Sequence, residues 1–210
     1  MSDHTIRGLY VITAGLDREG RDVVTQVRLA VDGGARVVQY RDKSSDPLRR
    51  LQEAIALVKL CRERNVPLII NDDPELAHES GADGVHLGKR DPSIREARAL
   101  LGPSALIGVS CYDHFDRARR AELAGADYVA FGSFFPSRTK PNAVRAPLEL
   151  LQRAKEALHL PIVAIGGISP ENGRRLIEAG ADALAVVEGV FGQADVLAAA
   201  QRYARLFERK

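Results

Sequence analysis

Gly125-Ala126-Asp127-Tyr128-Val129-Ala130-Phe131 decides how this chain folds, because its first half closes a helix and its second half opens a strand. Glycine suits the left-handed position just past a helix, where a Cβ would be penalised. The run after it is apolar without alternation, as a strand covered on both faces requires. The same junction recurs at Gly34-Ala35-Arg36, Gly81-Ala82-Asp83 and Gly180-Ala181-Asp182, at intervals of 47, 44 and 55 residues. Each interval holds about two strand–helix units, so four junctions predict eight strands.

Working outward, the eight apolar runs are Leu9–Ile12, Val37–Tyr40, Leu68–Ile70, Gly84–Leu87, Ala105–Val109, Tyr128–Phe131, Ile162–Ile165 and Ala183–Val187. Helical segments separate them. Leu48, Leu51, Ile55 and Val58 recur at helical spacing behind an Asp46 cap and a first-turn Pro47, and Leu197, Ala200, Ala204 and Phe207 do so near the end. Ser169-Pro170 repeats the cap-then-proline signal. Strand–helix alternation implies parallel strands. The pattern predicts a (β/α)8 TIM barrel, one α/β domain over residues 1–210. A doubly wound open sheet is the competitor, but it gives no reason for a fourfold repeat.

Composition narrows the function classes. With 210 residues and 45% hydrophobic content the chain has enough apolar material for a sizeable core. A formal charge of +2, interspersed signs and 5% aromatics argue against nucleic-acid binding. Cys61 and Cys111 have no paired spacing, which fits a reducing compartment rather than a disulfide framework or zinc site. Met1-Ser2-Asp3-His4 is neither basic nor apolar, and no run reaches the ~18 residues of a membrane span. The expectation is a soluble cytoplasmic protein with no membrane partner.

In such a barrel the active site lies at the C-terminal ends of the strands. The second run exits through Gln39-Tyr40-Arg41-Asp42-Lys43, whose cations read either as an anion clamp or as surface charges. The third exits into Asn71-Asp72-Asp73-Pro74. Asp73 looks like a helix cap, which leaves Asp72 without a structural task. The fourth exits through His86-Leu87-Gly88-Lys89-Arg90-Asp91-Pro92, where Asp91 is either a cap or a partner for Asp72. Two carboxylates from neighbouring strand ends suit a hard cation such as Mg²⁺, which shares itself with substrate phosphates. His86, inside an apolar run, reads as a packed histidine rather than a ligand.

The fifth run ends at Ser110-Cys111. Ser110 is either a hydrogen-bond donor or an idle loop polar, and Cys111 reads as packing rather than a nucleophile. The sixth is followed by a long connection within residues 132–146, with Ser137, Arg138, Thr139 and Lys140 among its hydroxyls and cations. Loops of this length in compact domains usually serve function, and these residue types suit a phosphate lid. A Schiff-base role for Lys140 lacks the apolar pocket it would need. Gly166-Gly167 after the seventh run and Val187-Glu188-Gly189 after the eighth stand where such barrels hold a phosphate on backbone N–H groups.

With all eight exits in view, the chain resembles the thiamine phosphate synthase family over nearly its full length. The resemblance rests on Gln39-Tyr40-Arg41-Asp42-Lys43, Asn71-Asp72, His86-Leu87-Gly88 with Asp91, Gly108-Val109-Ser110, Thr139-Lys140-Pro141 and Ala164-Ile165-Gly166-Gly167-Ile168, in this order. That family joins an aminopyrimidine methyl diphosphate to a thiazole phosphate, releasing pyrophosphate and making thiamine phosphate. The resemblance implies that Gln39, Tyr40, Arg41, Asp42, Lys43, Asn71, Ser110 and Lys140 hold the pyrimidine diphosphate. Within that set Arg41, Lys43, Ser110 and Lys140 would be catalytic. It implies Mg²⁺ on Asp72 and Asp91, and the thiazole phosphate on Ser137, Arg138, Thr139, Gly167, Val187 and Glu188. The reaction would ionise first, with charge stabilisation at the leaving group and no protein nucleophile.

Three positions depart from the family pattern. Glu188 replaces a usual serine and brings a carboxylate near a phosphate; Arg138 replaces a loop proline and offsets that charge; Lys89 stands where glutamine is common. A thiazole tautomerase-like relative and a non-catalytic phosphate sensor are the competing readings. Retention of Arg41, Lys43, Asp72 and Asp91 disfavours the tautomerase.

Overall fold

The computed structural model describes residues 5–13, 22–136 and 144–208. Eight strands form a closed parallel barrel in sequence order: β1 (Gly8–Ile12), β2 (Ala35–Tyr40), β3 (Leu68–Asn71), β4 (Gly84–Leu87), β5 (Leu106–Tyr112), β6 (Tyr128–Phe131), β7 (Ile162–Ile165) and β8 (Ala183–Val186). β1 closes on β8 with Leu9 opposite Leu184 and Val11 opposite Val186. Between and after them run α1 (Val23–Asp32), α2 (Pro47–Glu63), α3 (Pro74–Ser80), α4 (Ile94–Leu101), α5 (Phe115–Leu123), α6 (Glu149–Ala157), α7 (Pro170–Glu178), α8 (Glu188–Phe191) and α9 (Val196–Ala204). The expected (β/α)8 barrel is the observed one. Among the described residues no helix is long and apolar enough to cross a membrane.

Strand alternation separates two apolar layers. Tyr10, Ile12, Val37, Ile69, Tyr128, Ala130, Val163 and Ala185 point into the barrel, while Leu9, Val11, Val38, Leu68, Ile70 and Val129 pack outward beneath the helices. Both faces are buried, which is why the runs are continuously apolar. Gly108 makes room for the largest inward ring, since a Cβ there would stand 2.0 Å from Tyr128 Cζ.

The repeated junction has a physical basis in both of its conspicuous residues. Gly34, Gly81, Gly125 and Gly180 all have positive φ, between 71° and 115°. The aspartates that follow three of them bond back to the start of the preceding strand. Asp83, Asp127 and Asp182 accept the backbone N–H groups of Leu68, Ile107 and Ile162 at 2.8, 2.7 and 2.9 Å. Each carboxylate thus meets a backbone donor at the barrel's N-terminal edge, where the parallel ladder has begun on one side only.

Caps were legible, but the phase of the helices was less so. Asp46 accepts from Arg49 N at 3.0 Å, and Asp73 from Leu76 N at 2.9 Å. In α2, however, Leu48 and Ile55 are 65% and 49% exposed, and the buried face runs through Ala54, Leu57, Val58 and Cys61. In α9 the buried set is Val196, Ala199, Ala200 and Tyr203. Alanine packs closely at the barrel wall, and an apolar stripe rich in alanine does not mark its own centre. β5 also runs past its expected end at Ser110. Its pairing with β6 slips between Ser110 and Tyr112, with Tyr112 at φ 57°, a bulge that buries Cys111 and leaves Ser110 and Tyr112 bordering the barrel mouth.

Candidate active site

A cavity of about 1010 Å³ opens at the C-terminal mouth of the barrel. Its floor is apolar, with Ile12, Ala130, Val163, Ile165 and Ala185; its wall carries polar groups from the strand exits. That is the usual division in ligand sites, apolar surface for affinity and a few polar groups for orientation.

The β2 exit divides its five residues between cavity and scaffold. Gln39 and Arg41 border the cavity. Thr13 Oγ1 accepts the Arg41 backbone N–H at 2.9 Å, and among the described residues no carboxylate pairs with the Arg41 guanidinium. Tyr40, Asp42 and Lys43 are not among the residues that line the cavity, and the Lys43 side chain is largely exposed. The Tyr40 hydroxyl donates to Glu53 of α2 at 2.6 Å, and Asp42 accepts from Arg49 of α2 at 2.7 Å and from Ser44 N at 2.7 Å. Their side chains hold the loop that aims Arg41 and Lys43. Sequence proximity grouped all five together, but alternation along β2 turns Tyr40 outward.

Asn71, at the end of β3, borders the cavity, and Asp72 follows in a left-handed conformation at φ 65°. Its backbone N–H is tied to His86 O at 2.9 Å. Lys43 Nζ lies 3.9 Å from Asp72 Oδ2, with both groups partly open to solvent. Burial, and then the neighbouring Asp91 carboxyl, pushes the Asp72 carboxyl above its ordinary range. Asp91 is not the cap of α4. Ser93 fills that position in a capping box with Glu96, and Asp91 instead accepts the Gly88 backbone N–H. Two carboxylates are therefore held as neighbours, with Asn71 and Lys43 beside Asp72. This donor set, with the charge repulsion it stores, fits a hard divalent cation with few protein ligands. Among the described residues no cluster of three metal-ligating side chains occurs.

Across the mouth, Gly167 has φ 64° and a Cβ there would stand 2.3 Å from Pro136 O, so the β7 exit lies directly against the segment after β6. Asn172 Nδ2 holds the Gly167 carbonyl at 3.1 Å. Val187 and Glu188 border the cavity as α8 begins. The Glu188 carboxylate runs along α8, where a Cβ added at Gly192 would stand 2.6 Å from Oε2. Ser137, Arg138, Thr139 and Lys140 lie outside the described residues.

Tyr10, Tyr128 and Arg117 carried no motif. Tyr10 and Tyr128 sit inside apolar runs and read as core, yet their hydroxyls meet at 2.9 Å in the barrel interior. His86 is buried with both ring nitrogens bonded, to Tyr128 Oη at 3.0 Å and Ser110 Oγ at 2.9 Å. Arg117 of α5 donates to Ser110 O at 2.7 Å and to Gly88 O at 3.0 Å, clipping the β4 and β5 exits together. A helix arginine among Arg119 and Arg120 gives no sequence signal for that task. Burial pushes the Cys111 thiol up to about 12, leaving it protonated and unreactive near neutrality.

The family model described as thiamine monophosphate synthase matches residues 9–190. The chain belongs to this family. Thiamine-phosphate synthase of Nitrosococcus oceani is 53% identical over 203 residues, covering 97% of the chain and 94% of the relative. Its namesake from Azoarcus sp. is 54% identical, covering 96% and 98%. Among solved structures, thiamine phosphate pyrophosphorylase from Pyrococcus furiosus superposes with a TM-score of 0.86 at 35% identity, covering 95% and 94%. Glu188, which departs from the pattern the resemblance rests on, has its carboxylate near Gly192.

Proposed function

We propose that this chain joins an aminopyrimidine methyl diphosphate to a thiazole phosphate, forming thiamine phosphate and releasing pyrophosphate, as one barrel domain over residues 1–210. The observation that carries the reading is the layout of one cavity. Arg41 and Asn71 line one side, with the Asp72–Asp91 pair next to Asn71 just outside the lining, and the glycine-bearing exits of β7 and β8 line the other. Two anionic substrates need two such ends and an apolar space between them.

Asp72 and Asp91 would hold Mg²⁺, which when bound neutralises charge on the diphosphate leaving group. Arg41 and Lys43 bind the same group from the β2 exit, Ser110 donates a hydrogen bond to it, and Gln39 and Asn71 orient the pyrimidine diphosphate. Lys140 belongs to this set by resemblance. As the methylene carbon–oxygen bond breaks, its electron pair leaves with pyrophosphate, and the aminopyrimidine stabilises the cation left behind. The thiazole nitrogen then supplies the pair for the new carbon–nitrogen bond. No proton need move, so the side chains bind, orient and stabilise charge. The apolar floor excludes water that would otherwise capture the cation. Gly167, Val187 and Glu188 present backbone to the thiazole phosphate, with Ser137, Arg138 and Thr139 as its loop partners by resemblance. The buried free thiols of Cys61 and Cys111 fit a cytoplasmic setting.

The test supplies both substrates with Mg²⁺ and measures pyrophosphate and thiamine phosphate. Stoichiometric appearance of the two is expected. Binding of both substrates without product would overturn the reading in favour of a ligand sensor.

A further inference from the structure

Five side chains form a continuous hydrogen-bonded chain through the barrel interior, and the reaction as written has no use for its middle members. Gln39 Nε2 donates to the Tyr10 hydroxyl at 2.8 Å, the Tyr10 and Tyr128 hydroxyls lie 2.9 Å apart, Tyr128 Oη is 3.0 Å from His86 Nδ1, and His86 Nε2 is 2.9 Å from Ser110 Oγ. All five border the cavity, Gln39 and Ser110 as the ends of the chain. Tyr10 and Tyr128 are 1% and 0% exposed. The ring of His86 lies beside that of Tyr128, with centroids 5.5 Å apart.

Counting hydrogens gives the chain a direction. Each hydroxyl has one hydrogen to donate, and a neutral imidazole has one N–H. His86 is buried and its two ring nitrogens meet only the Tyr128 and Ser110 hydroxyls, with no carboxylate at either, so the imidazole there is the neutral form with one N–H. The Gln39 amide is oriented with Nε2 toward the Tyr10 oxygen, which accepts its N–H, and the direction of the chain follows from that orientation. If Tyr128 donated to the Tyr10 oxygen as well, two donors would converge there and the Tyr10 hydrogen would have no acceptor within the chain. If Tyr10 donates to Tyr128 instead, Tyr128 donates to His86 Nδ1 and His86 Nε2–H donates to Ser110. The only hydrogen left over is then that of Ser110, at the cavity. Native interiors leave few buried donors unmet, and the second direction leaves none in this chain.

We propose that His86 and Tyr128 are positioning residues: Tyr128 holds His86 as the Nε2–H tautomer, and that N–H occupies a lone pair of Ser110 so that the serine hydroxyl donates into the cavity. The role rests on the reading of Ser110 as a partner of the pyrimidine diphosphate. An anionic leaving group needs a donor from Ser110. The opposite direction would spend the serine hydrogen on His86 and face the anion with a lone pair.

The tautomer is directly measurable. In the full chain labelled with ¹⁵N-histidine, long-range ¹H–¹⁵N correlations distinguish Nε2–H from Nδ1–H, and the His86 signals are those that remain when the other four histidines are assigned by their own single substitutions and that are lost in His86→Gln. Nε2–H is expected, both alone and with inorganic pyrophosphate and Mg²⁺. Nδ1–H would overturn the proposal. In kinetics, His86→Leu is expected to lower kcat by about tenfold or more while leaving KM for the thiazole phosphate unchanged. His86→Gln, whose amide nitrogen can reach Ser110, should recover much of that loss. In a Ser110→Ala background, adding His86→Leu should cost little further rate, because the residue acts through Ser110. Full additivity of the two substitutions would sink the positioning role, and if His86→Leu does not fold the wild-type tautomer decides. A wild-type chain that makes no thiamine phosphate defeats the activity proposed above, whereas the tautomer measurement is independent of turnover.

Discussion

At the scale of single residues, the candidate site holds groups whose placement costs stability. Asp72 combines a left-handed backbone with a carboxyl that burial and Asp91 push above its ordinary range. Asp72→Asn should therefore raise the melting temperature measured with chelator, while severely lowering turnover at limiting Mg²⁺. Unchanged turnover after thorough chelation in the wild type would refute the metal role. Glu188 makes the opposite compromise, since its carboxylate is held toward Gly192 rather than removed. Replacing it in Glu188→Ser should lower KM for the thiazole phosphate a few-fold with kcat nearly unchanged, because like-charge repulsion across solvent is modest. Steady-state kinetics with the pyrimidine diphosphate saturating would measure this, and an unchanged KM would show that the turned carboxylate is already harmless.

At the scale of elements, the Gly-Ala-Asp junction does two jobs with three residues. Its glycine lets the chain leave a helix through positive φ, and its aspartate ties the next strand to the start of the preceding one. Asp127 also pairs with Arg98 of α4 at 2.6 Å, as Asp182 does with Lys155 of α6 at 2.7 Å. Asp127→Ala leaves the Ile107 N–H without its carboxylate partner, beside a strand residue that is fully buried. A loss of about 2 kcal/mol is expected, read by urea denaturation, with kcat retained because the junction lies at the barrel end remote from the cavity. The first copy has Arg36 in place of aspartate, and its side chain packs against Gly8 instead. The repeat was legible in the sequence, whereas its carboxylate bonds were not, because they join residues 15 to 20 positions apart along the chain.

For the whole molecule, closing the barrel creates a polar interior whose consequences extend beyond the site. His86 is held neutral with a pKa near 4, below the ordinary value near 6.5. The unfolded chain therefore binds a proton at higher pH than the folded one, so this residue makes stability fall as pH drops from about 6.5 toward 4. The full extent is about 3 kcal/mol. Comparing urea midpoints at pH 7 and pH 5 should show a shallower pH dependence in His86→Gln than in the wild type. Identical slopes would remove His86 from that account. The sequence by itself determined the barrel, through eight two-sided apolar runs and four glycine junctions, because burial on both faces and positive φ are local demands that leave local traces. It also pointed to the exits that hold Gln39, Arg41, Asn71, Ser110 and Gly167, since strand ends are legible wherever apolar runs stop. Only the tertiary structure decided that Tyr40 and Asp42 serve the loop, that Ser93 frees Asp91 from capping, and that Tyr10, Tyr128 and His86 are linked to Ser110. Those assignments depend on which face each strand turns inward and on contacts as distant as Tyr10 and Tyr128, 118 positions apart, which come together only when the barrel closes.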